Sequence, residues 1–402
     1  MSGSGRARRL SPFAWLGVAD LRDALPFGMM QCVLALCWVL PSAVIPIEAL
    51  ALLGSALNVS ILFFGVSFVG VGGAFVMPWL VHLAGRRSIF AIGGVCVAVS
   101  SVLMSLGMML PLIVGLAFRV FGYLCVDVAF EVAIMERIPR RALARFEPAR
   151  MFFMAIGFLV GPWLGIRLSL DVGLWSPFAL SAVLTLAVCA YALRAGFSDH
   201  PAGTVFRGRP PSPLRFVVRF VRQPRLRLAW LLAFGRSGWW TMFFIYTPIY
   251  CVQSGLGEEL AGIVLSAGAI PMLLVPLWGR LGGRIGLRAL LAVGYLATGC
   301  ATVAVAAVSD VAWLGIALLL VGTACASLID AAGNTLFFRA VHPHERTEMA
   351  SVFTTYREAA QLGAPGVFAA LLSVFALPAV FVASGASMVL LTYLTRYIPR
   401  RY

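Results

Sequence analysis

A chain of 402 residues that is 61% apolar and only 12% charged, with a mean hydropathy of +0.95, cannot keep the surface of a soluble domain wet and reads as a multi-pass membrane protein. Its formal charge of +15 rests on Arg alone, because Lys is absent, and that excludes Schiff-base chemistry on Lys and a Walker-type phosphate loop. The eight Cys form no C-x-x-C pair and the four His stand away from Cys or Glu at ligand spacing, so the sequence offers no metal or cofactor site and no enzymatic constellation.

Residues 1–25 carry Arg6, Arg8 and Arg9 before Phe13, Trp15 and Leu16, a pattern suited to a short interfacial helix or to a frayed tail. Apolar stretches of about 20 residues, each long enough to cross about 30 Å of hydrocarbon, follow at 26–46, 59–83, 88–108, 111–135, 151–170 and 174–194. Six more lie at 228–252, 260–280, 287–308, 312–337, 350–372 and 374–395. The expectation is an all-α membrane protein of twelve transmembrane helices in two pseudo-symmetric six-helix bundles. A cytoplasmic N-terminal segment (1–25) precedes a first bundle (26–194), a basic linker (195–227), a second bundle (228–396) and a cytoplasmic tail (397–402). Within the linker Arg215, Arg219 and Arg222 share one helical face and suit anionic lipid.

All Arg residues except Arg119, Arg167, Arg236 and Arg357 fall in the tails and loops of one side, whereas the opposite loops hold Glu48, Asp171, Glu258, Glu259 and Asp310. By the positive-inside bias both termini are expected in the cytoplasm of an inner membrane. The charge is then a topology signal with membrane lipids as its partner, and no nucleic acid need be invoked.

The halves repeat. Gly85 with Arg87 recurs as Gly286 with Arg288 at an offset of 201, while Asp127 and Pro162 recur as Asp330 and Pro365 at 203. An ionisable side chain within a span costs at least about 2.5 kcal/mol and tends to mark a pathway. Arg119, Tyr123, Asp127 and Glu131 recur every four residues on the fourth span, and Thr323, Ser327, Asp330 and Asn334 form a similar stripe on the tenth. The seventh span adds Arg236, Trp239 and Trp240, the first adds Gln31 and Trp38, and the eleventh carries Arg357 and Glu358. The depths predict one charged cluster of Asp330, Arg236, Arg357 and Glu358 in the second bundle. These charges nearly balance, so a fixed ion-pair scaffold fits the pattern as well as a proton pathway does.

Two turns follow the second and eighth spans, Pro78-Trp79-Leu80-Val81-His82-Leu83-Ala84-Gly85-Arg86-Arg87 and Gly279-Arg280-Leu281-Gly282-Gly283-Arg284-Ile285-Gly286-Leu287-Arg288. With the twelve spans and the repeat, they resemble the loop motif G-x-L-x-D-R-x-G-R of the major facilitator superfamily. His82 and Gly283 stand where that pattern has Asp, and Pro78 where it has its first Gly. Gly157-Phe158-Leu159-Val160-Gly161-Pro162-Trp163-Leu164-Gly165 is similar to the fifth-helix motif G-x-x-x-G-P-x-x-G of its drug/proton antiporters. Arg119 matches the basic residue of the fourth-helix R-x-x-x-G motif, with the Gly one position early at Gly122.

The resemblance implies a monomeric secondary transporter without cofactors, in which the first, fourth, seventh and tenth helices line a central cavity. Asp127, Asp330, Glu131 and Glu358 are the expected proton-coupling residues. Arg119, Tyr123, Arg236, Trp239, Trp240, Asn334, Gln31 and Trp38 are expected to bind a small, amphipathic organic solute. Arg86, Arg87, Arg284, Arg288, Gly161 and Pro162 are the expected gating residues, with Glu136 offering the anion missing from the first turn. Export by proton antiport is the expected activity. Proton symport or uniport for uptake, and a non-transporting sensor or assembly factor on the same fold, remain as alternatives.

Overall fold

The structure, a computed structural model, describes residues 21–137, 140–195, 213–308, 311–341, 349 and 352–399, without the side chains of 21–24, 78, 82, 86, 135–137, 140–149, 213–216 and 276. The expected interfacial segment before residue 21, most of the linker, and the side chains of Arg86, Glu136 and Arg215 thus lie outside the described residues.

The first half comprises α1 (Leu21–Val39), α2 (Val44–Leu53), α3 (Ala56–Met104), α4 (Met109–Arg137), α5 (Arg140–Asp171) and α6 (Trp175–Arg194). The short α7 (Pro213–Arg222) stands where the Arg stripe predicts a linker helix. The second half comprises α8 (Pro224–Gln253), α9 (Glu258–Ala267), α10 (Ile270–Leu273), α11 (Val275–Ile285), α12 (Leu287–Ala307), α13 (Ala312–Ala332), α14 (Thr335–Ala340), α15 (Tyr356–Leu372) and α16 (Pro378–Leu394), closed by a 3₁₀ turn at Thr395–Tyr397. No strand occurs among the described residues.

Among the described residues nine helical stretches of at least 18 residues are apolar enough to cross a membrane, and Glu258–Leu273 with Leu277–Ile285, bent by 53°, makes a tenth if the pair is counted as one span. The two remaining predicted spans fall short for local reasons. α15 has 17 residues, and the centre of α8 carries Arg236, Trp239, Trp240 and Tyr246 where an ordinary span carries aliphatics.

The repeat reaches the backbone. Gly85 (φ 73°, ψ 158°) interrupts α3 between its spans Ala56–Met77 and Arg87–Met104, and Gly286 (φ 88°, ψ 147°) separates α11 from α12 in the same way. Only a residue without Cβ adopts this conformation freely, so both tight reversals fall on Gly. Beside them Arg87 and Arg284 are exposed and Arg288 is half-buried.

The glycines of α5 determine how the first half packs. A Cβ on Gly157 would lie 2.7 Å from the carbonyl oxygen of Cys32, one on Gly161 2.5 Å from Val39 Cγ2, and one on Gly165 would collide with the Leu40 carbonyl. The strip therefore lets α5 lie directly against the backbone of the first span. On another side of α5, the Pro162 carbonyl and Ile166 fit against Gly262 of α9, so α5 is held between the two halves.

The hydrophobic cores are not symmetric. One continuous core joins residues remote from the Arg-rich loops in the first half (Ala43, Val59, Leu62, Leu112, Ile166, Phe178) to the core of the second half (Trp239, Phe243, Tyr246, Leu265, Phe368). On the Arg-rich side the first half has a core of its own, with Phe27, Met30, Phe90, Val126, Phe130 and Val188, that contains no second-half residue.

Candidate functional site

Four hydrogen bonds cross between the halves among the described residues. Ser60 and Tyr246 share one of 2.6 Å, Ser67 Oγ donates to the Gln361 carbonyl at 2.8 Å, the Trp163 amide donates to Ser266 Oγ at 2.9 Å, and Arg167 Nη1 donates to Glu259 Oε1 at 2.9 Å. All lie at mid-depth or beyond it, away from the Arg-rich loops. Phe158 of α5 meets Phe244 of α8 edge-on at 5.6 Å, and Trp240 lies 6.0 Å from Phe244. These contacts close one end of the seam, and the half on the Arg-rich side holds the buried charges.

Asp127, on α4, is exposed and has Arg357 and Glu358 of the second half within electrostatic reach, so it stands in the seam between the halves. The charges within its reach are Glu131, Arg357, Arg150 and Glu358. Glu131 is committed to an ion pair with Arg150 of α5, which also donates to Gln31 Oε1 at 3.5 Å. On the facing wall Arg357 of α15 is likewise open, and its Nε donates to Tyr356 Oη at 3.2 Å. Glu358 turns towards α3, where its Oε2 lies 3.0 Å from the position of a Cβ on Gly70.

The second acid of the repeat is held differently. Asp330 Oδ1 lies 3.5 Å from Arg236 Nε, and its Oδ2 accepts from Trp240 Nε1 at 3.0 Å. Arg236 and Asp330 are only 13% and 18% exposed, and Arg236 Nη2 reaches Tyr356 Oη at 3.2 Å. One phenol oxygen thus accepts from both Arg236 and Arg357, joining Asp330, Arg236, Tyr356 and Arg357 into a chain. Three members of the expected cluster, Asp330, Arg236 and Arg357, are joined in this way through Tyr356, which composition alone did not mark, while the fourth, Glu358, turns to α3.

Three expected solute-binding residues, Arg119, Tyr123 and Trp239, have other partners, and a fourth, Asn334, lies off its stripe. Arg119 is 2% exposed, and its Nη2 donates to the Cys37 and Trp38 carbonyls, each at 2.9 Å. Pro41 has no amide hydrogen to offer the Cys37 carbonyl four residues earlier, and Ser42 bonds Val39 instead. Arg119 and Ser181, the latter at 2.8 Å, supply the missing donors where the first span breaks between α1 and α2. Tyr123 is buried beside it, sharing hydrogen bonds with Ser181 and Thr185. The stripe misleads because residues four apart drift by about 40° per step, or about 120° from Arg119 to Glu131. Its first two members face α1 and α6, and only its last two reach the cavity.

Trp239 is 1% exposed, donates to Thr302 Oγ1 at 2.8 Å and stacks on Phe243. It belongs to the core of the second half. Asn334 leaves the α13 stripe because Gly333 (φ 49°, ψ −131°) ends that helix and Asn334 starts α14. Thr323 and Ser327 are fully buried and bond carbonyls of their own helix. Gln31, Trp38, Arg236 and Trp240 stay within or beside the seam: Trp38 is 38% exposed, edge-on to Tyr123. Arg150 is the residue that loop counting assigned to the surface and the fold brings to the site. No group of His, Cys, Asp and Glu able to hold a metal occurs among the described residues.

Residues 27–365 match the sequence profile of the Major Facilitator Superfamily, and the chain belongs to that family of membrane transporters. A search of curated proteins finds no match. Among solved structures, a POT family transporter in complex with 5-aminolevulinic acid superposes with a TM-score of 0.73 at 12% identity, covering 92% of this chain and 95% of that one. The nucleoside transporter NupG superposes with a TM-score of 0.69 at 11% identity, over 93% and 98%. The peptide transporter POT in complex with sulfate gives 0.72 at 12% identity, over 94% of each. At such identities the likeness is one of fold alone.

Proposed function

We propose that this chain is a proton-coupled exporter of a small amphipathic organic solute, of the antiporter kind. On this reading it works in an inner membrane with its Arg-rich side and both termini in the cytoplasm. The observation that carries the proposal is Asp127, a carboxylate without an ion-pair or hydrogen-bond partner among the described residues, open to the cavity between the halves. Such a group can hold a proton or an organic cation but not both, and that exclusion is the simplest coupling of two opposed fluxes. Among the described residues the hydrogen bonds between the halves lie at mid-depth or remote from the Arg-rich loops, which supports a cavity open to the cytoplasm and ready to load. Rocking about the mid-depth contacts then exchanges the open and closed ends.

In this scheme Glu131 and Asp330, each already paired with Arg, respond to the motion, and Asp127 with Glu358 carries the proton. The turns bearing Arg86, Arg87, Arg284 and Arg288, with Glu136 as anion, Gly161 against the first span and Pro162 against α9, are assigned to gating. Solute-dependent proton release from proteoliposomes tests the reading. Wild type is expected to export against a gradient and to depend on external pH. Asp127→Asn is expected to remain folded while losing uphill transport, and unchanged pH-dependent uphill flux in that variant would sink the proposal.

A further inference from the structure

Three features of the molecule offer polar groups to a ligand: the basic face of α7, the buried polar atoms without partners in the second half, and the opposed charges in the seam. The last carries an argument, because it presents two unlike unsatisfied charges to one space. Four of the seven ionisable side chains around the seam neutralise one another, Glu131 with Arg150 and Asp330 with Arg236. Glu358 is within Coulombic reach of Arg357 and Asp127 but points to Gly70 in the contact between α15 and α3, away from the Arg357 fork. That leaves Asp127 on α4 and Arg357 on α15, both open to the cavity and within Coulombic reach of each other.

Arg357 uses its Nε on Tyr356, and no acceptor for its two terminal nitrogens exists among the described residues. A guanidinium presents those nitrogens as a planar fork that fits a carboxylate. Trp240, which donates to Asp330 in the chain of groups that ends at Arg357, packs on Phe244, and Phe244 meets Phe158 across the seam, so three half-buried rings form one cluster there. Aromatic faces accept an apolar body without demanding a particular shape.

We infer that the solute is an amphipathic zwitterion, whose ammonium group takes Asp127 and whose carboxylate takes the Arg357 fork, with an apolar or aromatic body against Trp240, Phe244 and Phe158. This rests on the transport reading and narrows it. A lone cation would leave Arg357 facing an empty cavity, and a lone anion would leave Asp127 uncompensated. A zwitterion satisfies both walls at once and draws them together, which is the differential contact that closure requires.

The test uses the full chain purified in detergent and three sets of probes with shared skeletons: aromatic dipeptides, their N-acetyl forms, which lack the cation, and their C-terminal amides, which lack the anion. Binding is read as the shift in unfolding temperature and by competition for a fluorescent dipeptide. The zwitterions are expected to bind, and the blocked forms to bind roughly tenfold to a hundredfold more weakly. Asp127→Asn and Arg357→Gln should each lose the preference, and Arg357→Lys should recover part of it, which separates lost recognition from misfolding. Equal or stronger binding of the amides or the N-acetyl forms, or no binding of any set, overturns the inference. The transport reading is scored separately, by labelling of Cys32 and Cys325 from either side of the membrane. A switch in access driven by a purely cationic probe would keep the transporter and remove the zwitterion.

Discussion

At the end of the seam remote from the Arg-rich loops, the halves share one hydrophobic core and are joined by Ser60 with Tyr246, Trp163 with Ser266, and Arg167 with Glu259. At the other end the first half keeps a separate core, and the facing groups are charged. The difference has a physical cause. Small side chains and backbone polar groups allow tight contact without desolvating charge, whereas Asp127 and Arg357 keep an aqueous space because removing their water without pairing them is costly. One end of the seam is closed by packing and the other is lined by charge.

The comparison breaks most severely at Gly165. The change Gly165→Ala puts a methyl group into the Leu40 carbonyl and is expected to cost about 3 kcal/mol or to abolish the folded protein. The same change at Gly72, where a Cβ meets nothing within 4 Å, should move the unfolding temperature little and in the favourable direction. Equal stability of the two variants would remove the tight first-span contact from the account. Next comes Arg119→Met, which strands the Cys37 and Trp38 carbonyls. A loss of about 3 kcal/mol is expected from the unmet acceptors and the altered packing, visible in thermal unfolding before any transport assay.

Paired cysteines at Ser60 and Tyr246, in a chain freed of its native Cys, should be bridged by a short reducible bifunctional thiol reagent, the length of the replaced Tyr ring leaving a gap too wide for a direct disulfide, and the bridge should stop transport until reduced. Free turnover with the link in place would show that this end does not need to open. The smallest effect belongs to Glu259→Gln. The Arg167–Glu259 pair is about half exposed, and Arg167 has Asp171 at 3.4 Å as a second partner. Its loss should cost about 0.5 kcal/mol and is better sought as a faster opening of this end than as a shift in stability.

Several residues of the site were legible in advance, and the reasons some were not are instructive. Asp127 and Asp330 stood out because acids in apolar spans are rare and the repeat marked both. Periodicity grouped Arg119 and Tyr123 with Asp127, since four-residue spacing defines a stripe but not how far that stripe winds around its helix. Asn334 was assigned to the same helix as Asp330 because nothing before the backbone geometry of Gly333 shows that α13 ends there. Arg150 was sorted with the loops by its neighbours, and only the reach of its side chain from the start of the fifth span brings it to Glu131. Tyr356 carries no charge at neutral pH and so gave no signal, although both Arg236 and Arg357 turn to it.

The sequence by itself determined that the chain crosses a membrane many times, that its halves are copies, and where tight reversals must fall. Hydrocarbon thickness, the cost of buried charge and the need for Gly at positive φ act locally and can be read along the chain. Only the tertiary structure decided which acid of the repeat stands free and which is paired. That choice depends on partners contributed by other helices: Arg236, Trp240 and Tyr356 gather around Asp330, while Asp127 faces Arg357 across open space. Two equivalent positions in sequence thereby became unlike positions in charge.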